Sequence, residues 1–144
     1  MRETKYRFWD TENKIMIQGC PSLIIDSSDG TIYNLLADSY MYWKSMQWTV
    51  LTDRKGTEIF EGDIAEMEAV MVYPDGDGDS AEINMLYIGE VVILPSKGVC
   101  LRNPKVIDRN DGNKTWKHKG YKTVAAYRSR VIGNVFQNQD LING

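Results

Sequence analysis

The chain has 144 residues, a length that suits one compact domain or one domain with a small annex. Its composition, 42% hydrophobic, 10% aromatic and 26% charged, excludes a disordered tail, a coiled-coil rod and a collagen-like fibre. The net charge of −3 conceals an uneven distribution: residues 1–55 hold 7 basic and 7 acidic side chains, residues 56–96 hold 0 and 10, and residues 97–144 hold 10 and 3. We call residues 56–96 the acidic block and residues 97–144 the basic block.

The first third of the chain is predicted to form short strands. Aromatic and β-branched residues at 5–9 and 14–17 flank a polar turn, which predicts a β-hairpin. A short strand is predicted at Leu23–Ile25. Residues 31–44 are ambiguous, because some of their apolar residues have helical spacing while their aromatic run would suit a strand. Met46–Leu51 is again predicted as a strand.

The remaining two thirds alternate strands with turns. Turns are predicted at Asp53–Gly56 and Glu61–Asp63, where glycine supplies a positive φ. The polar stretch Asn103–Gly120 is predicted as a long loop, which is unusual in a compact domain and therefore functional or mobile. The predicted strands are 64–73, 83–94 as a pair or one bent strand, 98–101, 121–127 and 130–136. Many short strands without a long amphipathic helix predict a small barrel or sandwich.

Three segments resemble a known protein family. Arg2–Asp10, Met46–Ile64 and Arg130–Asn138 are similar, in this order, to the opening, the most distinctive stretch and the close of the YopX-like proteins, which bacteriophages and prophages encode. The central motif of that family usually has glycine at the position of Val50, so the turn before Leu51 is expected to differ in this chain.

The resemblance implies a fold and an origin, but no chemistry. It implies a mainly β protein with a small SH3-like β-barrel over residues 46–144 and a smaller N-terminal β-rich (α+β) portion, residues 1–45, packed on it. It also implies a phage or prophage source and therefore the cytoplasm of a bacterial host cell. It supplies no catalytic residue, and the family has no cofactor that this chain would inherit.

The sequence predicts neither export nor a membrane span. No apolar stretch follows the first charged residues, and the longest aliphatic run, Val91–Leu94, is far shorter than the roughly 20 residues that a span needs. Cys20 and Cys100 lie far apart and have no neighbouring Cys/His cluster, which predicts packed, reduced thiols and no metal site. We therefore expect a soluble cytoplasmic protein without a membrane partner.

One acidic stretch is similar to the start of a calcium loop. Asp75, Asp77 and Asp79 alternate as EF-hand ligands do, but Ser80 and Leu86 occupy the positions of the required glycine and bidentate glutamate. The pattern therefore favours a solvated hairpin loop over a cation site.

Nothing in the sequence indicates catalysis. His118, the single histidine, has cationic neighbours and no orienting carboxylate nearby in sequence, which favours a surface loop over a general base. Glu66 and Glu68 share one face of a predicted strand, which favours an exposed edge over an acid/base pair. The chain also lacks a glycine-rich nucleotide-binding loop. We expect a protein that is not an enzyme.

The basic block is the strongest functional lead. Trp116 and Tyr121 are interleaved among cations between Arg102 and Arg130, where only Asp108 and Asp111 oppose them. The cations are Arg102, Lys105, Arg109, Lys114, Lys117, Lys119, Lys122, Arg128 and Arg130. Such a segment suits phosphates and stacked bases, although the acidic whole chain argues against tight non-specific binding. Alternatively, the basic block pairs with the acidic block, within the barrel or between subunits.

Two hypotheses follow. The first is a non-enzymatic accessory protein that self-associates into a homo-oligomer and binds an unidentified host or phage protein. The second is a nucleic-acid-binding module that uses the basic 102–130 loop. The candidate contact residues are Arg109, Lys114, Trp116, Lys117, Lys119, Tyr121 and Lys122. We assign no catalytic, cofactor-binding or metal-binding residue.

Overall fold

A computed structural model describes residues 5–18, 23–25, 32–34, 39–41, 43–74 and 80–143. The chain divides into two compact units, Met1–Trp48 and Thr49–Gly144. The described residues are mainly β and form sheets of four, six and three strands, which confirms the predicted mainly β fold class. In the part of the chain that the structure describes, no helix is long and apolar enough to cross a membrane.

The first unit contains the predicted hairpin. Asp10 closes its turn, because its carboxylate accepts hydrogen bonds from the backbone N–H groups of Glu12 (3.0 Å) and Asn13 (3.1 Å). The ambiguous segment 31–44 is strand wherever it is described, because its apolar residues pair across a small antiparallel sheet. The strands are β1 (Tyr6–Asp10), β2 (Ile15–Gln18), β3 (Leu23–Ile25), β4 (Ile32–Asn34), β5 (Ser39–Met41) and β6 (Trp43–Thr52), the last of which ends in the second unit.

The second unit is built on a six-stranded antiparallel sheet. Its path is β11-β10-β9-β8-β13, and β12 also pairs with β10. Because β9 occupies one edge of β10, β11 and β12 follow one another along the other edge. The strands are β7 (Glu58–Phe60), β8 (Asp63–Pro74), β9 (Ser80–Leu94), β10 (Gly98–Asp108), β11 (Lys114–Lys117), β12 (Tyr121–Thr123) and β13 (Ser129–Asn134). Single-turn 3₁₀ helices at Ala126–Arg128 and Gln139–Leu141 complete it.

One face of this sheet carries the hydrophobic core cluster, although Val92 and Cys100, which are paired with each other on the opposite face, are buried as well. Directly paired residues on neighbouring strands share a face, so the register assigns each side chain to a side. The core cluster consists of Ile59, Ala65, Met67, Val91 and Leu101, and Tyr87, Val99 and Val131 are among the partly buried residues packed against it. We call this face the core side of the sheet and the opposite face the outer side.

The prediction of a long loop over Asn103–Gly120 was wrong. β10 continues to Asp108, and β11 returns along it as a hairpin. A bulge at Asn103 hides the continuity, since this residue has φ +41° and interrupts the pairing of β10 with β9 between Arg102 and Lys105. β11 gave no strand signal because all four of its side chains are exposed and therefore show no apolar alternation.

Two groups hold this bulge in place. Asn103 donates its backbone N–H to the Gly120 carbonyl (2.7 Å) and accepts the Gly120 N–H on its side chain (2.8 Å). Across the sheet, a Cβ at Gly89 would lie 3.2 Å from atoms of Pro104, so glycine admits the bulged strand. The segment 83–94 is accordingly part of one strand, β9, and the irregularity lies in β10 opposite Gly89.

Candidate functional site

The central family-like motif forms a locked turn. Asp53 is 6% exposed, and its carboxylate accepts the backbone N–H groups of Lys55 (2.8 Å), Thr57 (2.9 Å) and Val131 (2.9 Å). The bond to Val131 ties the turn to β13. Burial alone raises the pKa of Asp53, but these backbone N–H donors and the adjacent Arg54 charge outweigh it and hold the pKa below its ordinary value of 3.8.

Two further polar residues of the family-like segments bind backbone. Asp63 is 1% exposed and accepts the Phe60 N–H (2.8 Å), and this bond locks the turn predicted at Glu61–Asp63. Asn134 accepts the N–H groups of Phe136 and Gln137, both at 3.0 Å, and so shapes the close of the chain. These residues therefore stabilise the fold, and none of them points to a ligand.

The position at which this chain departs from the family pattern is strained. Val50 has φ +74°, a region that β-branched residues rarely adopt and glycine adopts freely. Thr49 supports the turn, since its hydroxyl donates to the Ile59 carbonyl (2.7 Å) and accepts the Leu51 N–H (3.2 Å). The backbone here thus keeps the glycine-like conformation although the side chain is valine.

The acidic and basic blocks meet within the chain through arginines. Arg130 contacts Glu66 at 2.8 Å, and the two lie directly opposite each other on β13 and β8. Further ion pairs join Arg109 to Glu68 (3.6 Å) and Arg102 to Glu90 (3.6 Å), and Arg54 lies 3.9 Å from Glu66 and 3.4 Å from Glu68. Glu66 is therefore not on an exposed sheet edge as predicted, because β13 pairs with β8 opposite it. Glu68 lies one residue beyond the last position of β8 that is paired with β13, which is Met67.

Four lysines of the basic block lie along one edge of the sheet. Lys114, Lys117, Lys119 and Lys122 belong to β11, the following loop and β12, which together line the free edge of β10. We call these four residues the lysine edge. The regular strand β9 spans the same stretch from Val91 to Met85, which gives the edge a length of about 20 Å at about 3.3 Å per residue. None of the acidic side chains that the structure describes forms an ion pair with these lysines.

The register distributes the seven predicted contact residues over both sides of the sheet. Trp116 is paired with buried Val106, and Lys122 with Leu101 of the core cluster, so both lie on the core side. Lys117 and Tyr121 are paired with residues that align with Ile88 and Glu90, which places them on the outer side. The other three residues follow the same edge: Lys114 is on the core side, Lys119 is in the loop, and Arg109 is in the β10–β11 turn beside Glu68.

Sequence reasoning missed one aromatic residue of this region. Tyr87 on β9 lies beside Val106, and the Lys122 ammonium group is 5.1 Å from the centroid of its ring. Its sequence position in the acidic block, 35 residues before Lys122, gave no signal of this neighbourhood. Only the pairing of β9 with β10, and of β10 with β12, brings the two together.

The remaining predicted features form no site within the described residues. His118 is half-buried, and its backbone N–H donates to the Pro104 carbonyl (2.9 Å) at the base of the β10–β11 hairpin. Cys100 is a buried free thiol, whereas Cys20 and the Asp75–Asp79 stretch lie outside the described residues. Within the described ranges, no three His, Cys, Asp or Glu side chains gather in a way that would hold a metal ion.

The chain matches the family described as YopX protein over residues 5–143. It therefore belongs to the YopX family, as its three similar segments predict. Among solved structures, it is similar to protein EF1440 from Enterococcus faecalis, with a TM-score of 0.53 and 21% identity over 98% of this chain and 99% of that chain. This likeness shows a shared fold. No curated protein matches the chain.

Proposed function

We propose that this YopX-family chain is a non-enzymatic binding module that takes nucleic acid along the lysine edge. One observation carries the proposal: the arginines of the basic block at 102, 109 and 130 pair with glutamates of the acidic block, and the lysines of the edge do not. The cationic surface that is left is a narrow line about 20 Å long. With it we propose a phage or prophage origin and action in the host cytoplasm, which rest on the family resemblance.

The charge of the whole chain does not oppose this proposal. The net charge of −3 includes Glu66, Glu68 and Glu90, whose charges are already balanced by arginines. Local cations govern the contact with phosphates, since the Debye length is about 8 Å at physiological salt and the acidic remainder is screened beyond it. Four lysines that neutralise about four phosphates would give a salt dependence of about −3 in log K against log salt concentration for a single strand.

A charge-reversal experiment tests the proposal. Lys117→Glu, Lys119→Glu and Lys122→Glu together should abolish the binding of fluorescently labelled DNA, measured by anisotropy at low salt. The matched control reverses three exposed lysines elsewhere, Lys14, Lys44 and Lys55, and changes the net charge equally. Equal loss in both variants, or no binding of single- or double-stranded DNA by the unmodified protein, would remove the proposal.

Self-association remains a second candidate function, with an unidentified host or phage protein as the further partner. Exposed apolar side chains favour it, because Tyr127 is 72% exposed and Val70 on β8 is 45% exposed. The lysine edge opposes one route, since lysines on an edge strand discourage pairing with a second copy. Sedimentation should show an oligomer if this candidate is right, and a monomer at both low and high salt would exclude it.

A further inference from the structure

The two sides of the lysine edge differ in what the protein itself already occupies. On the outer side, the Lys117 ammonium group donates to the Ile142 carbonyl of the C-terminal segment at 2.5 Å. The Lys97 ammonium group lies 5.7 Å from the Tyr121 ring centroid, and Arg102 opposite Tyr121 is paired with Glu90. Tyr121 is as exposed as Trp116, at 42%, but the cations of the outer side are largely used by contacts within the chain.

The core side combines an open aromatic ring with cations. Trp116 is 42% exposed, although its cross-strand partner Val106 is only 1% exposed, so its ring extends over the margin of the core. Lys114 precedes it by two residues on the same side, at about 7 Å along the strand. On the next strands inward, Tyr87 lies under the Lys122 ammonium group. Along the edge of β10, Trp116 opposite Val106 therefore lies between Lys114 and Lys122 on the core side. We call the Trp116 ring the aromatic platform.

We infer that the nucleic acid is single-stranded and that one of its bases stacks on Trp116 from the core side. This inference rests on the proposed function. An exposed indole offers a flat apolar surface to any unpaired base, and the two core-side lysines would contact the phosphates beside that base. A duplex cannot use the platform, because its bases are stacked on one another and present only their edges. A single line of lysines also matches the one phosphate backbone of a single strand better than the two backbones of a duplex.

Anisotropy titrations with a labelled 12-nucleotide oligothymidylate and with a duplex of the same length test the inference on the full chain. The single strand should bind at least tenfold more tightly than the duplex at the same salt concentration. Trp116→Ala should weaken single-strand binding by about 5- to 150-fold, the range for loss of one base–aromatic stack. Trp116→Phe should restore part of the loss, because a phenyl ring still stacks.

A matched control locates the contact. Tyr127→Ala, which removes an exposed tyrosine off the lysine edge, should change the affinity less than twofold. Thermal unfolding of Trp116→Ala and Trp116→Phe checks that both variants fold. Equal affinity for the single strand and the duplex, or an unchanged affinity in a folded Trp116→Ala protein, would overturn this inference while leaving the binding function intact.

Discussion

The locked turn around Asp53 and the lysine edge use charge in opposite ways. Asp53 is buried, and both of its carboxylate oxygens accept backbone N–H groups. The lysines of the edge face solvent or lie at the margin of the core, with no carboxylate of the described residues paired to them. The family match covers both regions, since it runs over residues 5–143. The charge of Asp53 stabilises the fold, whereas the role that we propose for the lysines is binding.

Removing the Asp53 carboxylate is the most damaging change that this comparison predicts. Asp53→Ala leaves the N–H groups of Thr57 and Val131 without their acceptor, and each lost bond to a charged group is worth about 1.5–3 kcal/mol. We expect the free energy of unfolding to fall by about 3 kcal/mol or more, measured by urea denaturation. Lys55→Ala in the same turn removes only an exposed side chain and should stay within about 0.5 kcal/mol. A loss below 1 kcal/mol in Asp53→Ala would contradict the role of the lock.

The same carboxylate predicts a pH dependence. The pKa of Asp53 is lowered in the folded protein, so the ionised group stabilises the fold at every pH above its unfolded value near 3.8. This contribution to stability falls as the pH drops below the pKa of Asp53 in the unfolded chain, and it is lost once the pH is below the lower pKa in the folded protein. Protonation then weakens the hydrogen bonds that the carboxylate accepts from backbone N–H groups. The stability gap between the unmodified protein and Asp53→Asn should therefore be constant from pH 7 to pH 5 and shrink below pH 4. A gap that stays constant to pH 2 would show that Asp53 is not the titrating group.

The reach of sequence reasoning differs between these two regions. The turn at Asp63 and the hairpin of β1 and β2 were predicted because their signals are local: glycine, aspartate and strand residues at short spacing. The pairing of Arg130 with Glu66 was not predicted, because it depends on the register between two strands whose paired residues are 64 positions apart in sequence. The opposite placement of Trp116 and Tyr121 also escaped prediction, since it depends on the bulge at Asn103 and on the loop between β11 and β12.

Relief of the backbone strain at Val50, close to the locked turn around Asp53, should raise the free energy of unfolding by a smaller amount. Val50→Gly should raise the free energy of unfolding by about 1 kcal/mol, because valine at φ +74° stores about 1–3 kcal/mol of strain while glycine adds some entropy to the unfolded chain. Val70→Gly is the matched control, an exposed valine in a strand, and should instead destabilise by about 1 kcal/mol. Destabilisation by both variants would show that Val50 is not strained.

The lysine edge predicts the smallest effect, and one that separates stability from binding. Lys105 on β10 lies directly opposite Lys117 on β11, and like charges in that position destabilise a sheet. Lys105→Glu replaces this repulsion with an opposite-charge pair, so we expect a gain of about 0.5 kcal/mol in the free energy of unfolding at low salt. The gain should largely disappear in 1 M NaCl, where the Debye length is about 3 Å. The new carboxylate should at the same time weaken DNA binding, since it would occupy Lys117 and repel phosphates. A variant that gains stability and loses affinity would indicate that these two lysines serve binding of a polyanionic partner at a cost in stability. The charge of Asp53, in contrast, stabilises the fold.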